Sequence, residues 1–137
     1  MATAMARRAL DSALRYANER KAFGEPIANF QLIQQMLADS EIEIYAAECM
    51  MADVTARADA GENVLRKTAA FKVFASEMCG RVVDRVVQIY GGAGYLAEYD
   101  AERFFRDARV LRIYEGTTQI LQLQIAKHML REWASAQ

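Results

Sequence analysis

The residues best placed to do chemistry lie in the run Leu111-Arg112-Ile113-Tyr114-Glu115-Gly116-Thr117-Thr118-Gln119-Ile120. A lone carboxylate, Glu115, stands beside a glycine and just ahead of hydroxyl and amide side chains that open a helix. An acid set in such a turn can move a proton as general base or general acid. The same residues also make an ordinary helix start, where negative charge is favoured by the helix dipole and Thr117 can cap free amides. Gly91-Gly92-Ala93-Gly94 follows a helix rather than a strand, lacks the setting of a phosphate loop, and reads as a helix stop. Glu19-Arg20-Lys21-Ala22-Phe23-Gly24 places two cations and an aromatic at a helix C-terminus, where positive charge is favoured whatever the function. His128 is the only histidine. It has no candidate ligand or nucleophile beside it, so neither a metal site nor a Ser-His-Asp arrangement is indicated. Cys49 and Cys79 lack metal-ligand spacing and read as buried free thiols.

The elements that must position these groups are helical. From Ala2 to Lys21 the chain is rich in Ala, Arg and Leu without Gly or Pro, and Leu10, Ala13, Leu14 and Ala17 recur at helical spacing. Gly24 and Pro26 interrupt this pattern and make a connector. Asn29 is placed to cap a second helix, striped by Ile33, Leu37, Ser40, Ile44, Ala47, Met51 and Val54 and ended by Gly61. A third helix, from about Asn63 to Tyr90, shows Phe71, Phe74, Met78, Val82, Val86 and Ile89 on one face and should be roughly 42 Å long. After the glycine run comes a shorter amphipathic piece over 100–110, carrying Arg103, Arg106 and Arg109 on one side, then a final helix over about 117–133. Long helices with apolar stripes must bury them against one another. The expected fold is all-α: an up-and-down four-helix bundle with a short extra helix before the C-terminal one.

At 137 residues, 53% hydrophobic and 26% charged, with one proline, the chain has the composition of one globular domain. Seventeen basic residues balance eighteen acidic ones. Neither sign forms a long run, which excludes a general attraction to nucleic acid or to a membrane surface. No stretch approaches the roughly 20 apolar residues of a membrane span, the first ten residues lack the apolar core of a signal peptide, and the cytoplasm is the expected compartment. Met1 opens directly into helix-forming residues with no capping side chain, so the chain is expected to begin inside a helix of something longer.

Three segments, taken together and in order, resemble the C-terminal domain of acyl-CoA dehydrogenases. They are Arg20-Lys21-Ala22-Phe23-Gly24-Glu25-Pro26-Ile27 with Phe30-Gln31; Gln88-Ile89-Tyr90-Gly91-Gly92-Ala93-Gly94-Tyr95; and Arg106-Asp107-Ala108-Arg109 leading to Ile113-Tyr114-Glu115-Gly116-Thr117-Thr118-Gln119-Ile120. The resemblance runs over nearly the whole chain, 1–137, and implies that the N-terminal helical and middle β domains of the family are absent. It implies an oxidoreductase of fatty-acid metabolism that converts an acyl-CoA to a trans-2-enoyl-CoA with FAD as hydride acceptor. Glu115 would be the base that takes the α proton. Its backbone amide would donate to the thioester oxygen, with Gly116 beside it at the substrate.

By the same resemblance Arg20 would face the FAD pyrophosphate, Phe23 and Gln31 would line that cofactor, and Gln88 and Gly92 would touch its adenosine part from a neighbouring subunit. Thr117 and Gln119 would contact FAD after the glutamate. Ala22 departs from the family, many of whose members carry Ser or Thr there. The implied partners are an acyl-CoA substrate, electron-transfer flavoprotein and further copies of the chain in a homodimer or homotetramer. An acyl-CoA oxidase and a non-catalytic oligomerisation module are the alternatives. Glu115, rather than Asp or Gly, argues against the nitroalkane-oxidising relatives. With the flavin-covering domains absent, the isolated chain is expected to be inactive.

Overall fold

The structure, a computed structural model, describes residues Met1–Gln137. Five α-helices carry the fold: α1 (Ala2–Glu19), α2 (Gln31–Asp59), α3 (Leu65–Tyr90), α4 (Asp100–Arg109) and α5 (Thr118–Ser135). A two-residue hairpin, β1 (Lys21–Ala22) with β2 (Glu25–Pro26), and a 3-10 turn over Ile27–Asn29 join α1 to α2. Two more 3-10 turns, Gly91–Tyr95 and Val110–Arg112, bracket α4. The all-α bundle with a short helix ahead of the last one is therefore present.

Helix α3 is its axis and touches α1, α2, α4 and α5. For that reason its buried residues do not form the single stripe expected. Met78, Val82, Val86 and Ile89 are buried as predicted, but so are Ala75, Ser76, Cys79, Gly80, Val83 and Tyr90. Helix α1 packs chiefly on α3, and its inner face carries Ala6, Ala9, Ala13 and Ala17, all fully buried. Side chains this small let the two backbones approach closely and leave little room for anything larger. Helix α2 buries only Ser40, Ile44 and Ala47; Met51, read as part of its stripe, is 44% exposed.

The helix ends follow local chemistry with one correction. Gly61 leaves α2 at φ +77 and Gly91 leaves α3 at φ +59, a conformation that glycine adopts without steric cost. Asn29 does not cap α2: Phe30 holds that position, and Asn29 Nδ2 instead donates to Glu25 Oε2 at 2.7 Å, bracing the hairpin. Cys79 is buried as expected, whereas Cys49 is exposed on α2, because the stripe that faces α3 passes through Ile44 and Ala47 and leaves position 49 outside. Both thiols are free.

Candidate functional site

Glu115 sits where the chain turns between α4 and α5. Leu111, 4% exposed, anchors the 3-10 turn before it. The hydroxyl of Tyr114 donates to Met1 Sδ at 3.1 Å, tying the loop to the start of α1. Glu115 itself has φ +53 and Gly116 φ +95. A left-handed conformation costs a non-glycine residue roughly 1–2 kcal/mol and persists only where the surroundings enforce it. Gly116 is favoured by its φ, and a Cβ there would also crowd Leu121, whose Cδ2 would lie 3.1 Å away. Thr117 then caps α5, its hydroxyl accepting from the Ile120 amide at 3.3 Å.

The enforcing contacts come from α3. Lys72 Nζ donates to the Gly116 carbonyl at 2.6 Å. Five residues further on, Glu77 accepts from the Thr118 hydroxyl at 2.8 Å and faces Arg112 at 3.4 Å. Arg112 lies so close over Gly80 that a Cβ there would collide with its guanidinium. A hydrogen bond from a charged donor contributes about 1.5–3 kcal/mol, which is the size needed to offset the strain at Glu115. Burial pushes the Lys72 ammonium below its usual 10.5, opposed by the charges of Glu77 and Glu115.

Beside this loop lies a cavity of about 550 Å³ lined mainly by apolar groups, among them Met51, Phe71, Ala75, Leu111 and Tyr114. Lys72 and Glu115 are the two charged side chains on its wall. The arrangement can hold an apolar chain while presenting a carboxylate to its polar end. No group of three or more His, Cys, Asp or Glu side chains is placed to hold a metal ion.

Arg20 and Gly92 meet at the other end of α1, about 27 Å from Met1 along the helix axis. They line a second cleft of about 360 Å³ with Tyr16, Tyr90, Gly91 and Tyr99. Tyr16 stacks on Tyr90 with ring centroids 4.0 Å apart, and Tyr99 stands edge-on to both. Arg20 is exposed and forms no ion pair within the chain. A Cβ at Gly92 would meet nothing within 4 Å. An unpaired guanidinium beside open backbone fits a phosphate-bearing group, which Arg binds through paired, charge-assisted hydrogen bonds.

On the adjoining hairpin, Phe23 (φ +53) and Gly24 (φ +90) form a two-residue turn that leaves the Phe23 ring 98% exposed, braced only edge-on by Phe30. Gln31, at the start of α2, and Gln88, in the last turn of α3, are exposed and line neither cavity. Thr117 and Gln119 line a small polar cleft with Glu77, Arg109 and Arg112. The candidates from the sequence thus fall in separate places on one chain: Glu115 and Gly116 at one end, Arg20, Phe23 and Gly92 at the other, and Thr117 and Gln119 around the corner from the acid. Lys72, Glu77, Tyr16 and Tyr99 escaped the sequence reading, and Tyr90 entered it only within the motif around Gly92. Lys72 did leave a trace, as the only charge in the otherwise apolar and hydroxyl run over 68–76.

The chain is thus an all-α helical domain that presents an acid on a strained loop beside an apolar cavity. The sequence model for the acyl-CoA dehydrogenase C-terminal domain matches residues 1–130, and the chain belongs to that family. It is 44% identical over 131 residues to a probable acyl-CoA dehydrogenase of Bacillus subtilis, covering 96% of this chain and 34% of that protein. It is 41% identical over 128 residues to a subunit of the caffeyl-CoA reductase-Etf complex of Acetobacterium woodii, covering 93% of this chain and 34% of that protein. The fold superimposes on butyryl-CoA dehydrogenase of Megasphaera elsdenii with a TM-score of 0.92 and 35% identity, over 94% of this chain and 34% of that one. The chain therefore spans about a third of the length of the relatives it matches. No helix is long and apolar enough to cross a membrane.

Proposed function

We propose that this chain is the glutamate-bearing domain of a flavin-dependent acyl-CoA dehydrogenase, which introduces the α,β double bond into an acyl-CoA thioester. The observation that carries this reading is Glu115: an exposed carboxylate, held in a left-handed turn, on the wall of an apolar cavity of about 550 Å³. In this reading the acyl chain enters the cavity between Phe71, Ala75 and Tyr114, and Glu115 removes the α proton. The Glu115 amide donates to the thioester oxygen, where negative charge gathers as the proton leaves. A bound FAD would supply the acceptor for the hydride that leaves the β carbon.

Arg20 would hold the pyrophosphate, Phe23 and Gln31 would lie beside the same cofactor, and Gln88 and Gly92 would reach its adenosine part from a neighbouring subunit. Thr117 and Gln119 would contact FAD close to the acid. Because the Arg20 cleft and Glu115 lie at opposite ends of α1, we assign the two ends to cofactors shared between subunits of a dimer or tetramer. Electron-transfer flavoprotein is the proposed electron acceptor, supported by relatives such as the caffeyl-CoA reductase-Etf subunit. Free thiols at Cys49 and Cys79 are in keeping with a cytoplasmic setting. A purely oligomeric role is the second reading, favoured by the exposed apolar residues of α5.

The test is Glu115→Gln in the full-length dehydrogenase. FAD content should be unchanged and turnover reduced roughly 10²–10⁴-fold, the range for loss of a general base. Wild-type turnover would remove Glu115 from the mechanism.

A further inference from the structure

Lys72 has no part in the reading above, yet it is the other charged group on the cavity wall and the only side chain that hydrogen-bonds the Glu115–Gly116 peptide pair. It reaches the Gly116 carbonyl, at 2.6 Å, from the middle of the helix that forms the axis of the bundle. The remaining contacts of the loop fall to either side of the strained pair. Tyr114 is tied to Met1 before it; Thr118 and Arg112 meet Glu77, and Thr117 caps α5. Remove Lys72, and the two left-handed residues are held only at their flanks.

We propose that Lys72 is a positioning residue: its ammonium clamps the Gly116 carbonyl to α3, and this keeps Glu115 in the left-handed conformation that points its carboxylate along the cavity wall. The inference rests on the reading of Glu115 as the base. The clamp itself makes no bond to substrate and transfers no proton. Its contribution is orientation, the factor by which displacement of a reacting group by about 1 Å costs on the order of 100-fold in rate. Two features set it apart from a structural lysine. Its side chain is half-buried on the wall of the cavity rather than extended over the surface, and its one hydrogen-bond acceptor is a carbonyl of the acid's own loop.

The experiment pairs Lys72→Met, which keeps the stem and deletes the charge and donor, with Lys72→Arg, which keeps both. In the flavin-loaded full-length dehydrogenase, K72M should lower kcat roughly 10- to 100-fold with KM held within about twofold, and K72R should recover most of kcat. In the 137-residue chain, the backbone amide resonances of 115–117 should shift in K72M and return towards their original positions in K72R. A K72M enzyme with unchanged kcat, or with a loss carried wholly by KM, overturns the proposal. If K72M does not fold, K72R decides alone, and a K72R enzyme as impaired as the one carrying E115Q overturns it. E115Q in the same background separates the two ideas. Were E115Q fully active, the base assignment would fail, and the amide resonances would still judge the clamp because they do not depend on turnover.

Discussion

Gly92 and Gly94 stand two residues apart and answer to different forces. A Cβ on Gly94 would come within 2.7 Å of the Val87 carbonyl oxygen and 2.8 Å of Tyr90 Cβ, so the 3-10 turn after α3 could not stay seated on that helix. Gly94→Ala should destabilise the domain by about 1–3 kcal/mol, the range for inserting an atom into a packed site. Gly92 faces open space, and Gly92→Ala should leave thermal unfolding unchanged. If Gly92 lies against FAD, the same substitution should nevertheless weaken flavin binding, read by fluorescence titration of the assembled protein. Equal affinity for FAD in both proteins would take Gly92 out of the cofactor site.

At the scale of elements, α2 and α3 are clasped by one carboxylate. Glu43 on α2 pairs with Arg81 and Arg85 on α3, each at 3.1 Å. Burial alone would raise the Glu43 pKa, but the hydrogen bonds and charges of Arg85 and Arg81 outweigh it and hold the carboxyl below its usual 4.5. A carboxylate with a depressed folded-state pKa contributes stability that is fully present above its unfolded value. That stability is lost as pH falls through the folded one. Glu43→Gln should therefore lower the melting temperature at pH 7 by about 4 °C, on the order of 1 kcal/mol. The gap between the two proteins should close as thermal melts are taken below about pH 4.5. A gap that stays constant down to pH 3 would mean that packing, not the ionised pair, joins these helices.

At the scale of the molecule, α5 is the element without enough partners. It buries only Thr118 and Leu121 and packs mainly on α3, while Leu123, Leu130 and Trp133 remain 66–70% exposed. Large apolar groups left in water along one helix favour association. The chain should form dimers or tetramers by light scattering, and Leu130→Glu should shift it towards the monomer. A wild-type chain that stays monomeric at high concentration would argue against shared cofactor sites.

The sequence by itself determined most of the helices, because periodicity, glycine stops and the Thr117 cap are local signals carried by residues a few positions apart. It also determined the family, since the three motifs around Arg20, Gly92 and Glu115 hold their order and spacing along the chain. The tertiary structure decided what these motifs face. Arg20 and Gly92 share a cleft only because α1 lies against α3, and Asn29 gave up the helix cap to Glu25 because the hairpin brought that carboxylate within reach. Lys72 and Glu77 became visible as neighbours of the acid only once α3 was laid beside the loop, 41–44 residues away in sequence. Long-range contacts of this kind follow from how apolar surfaces pack together, and no local pattern of residues encodes them.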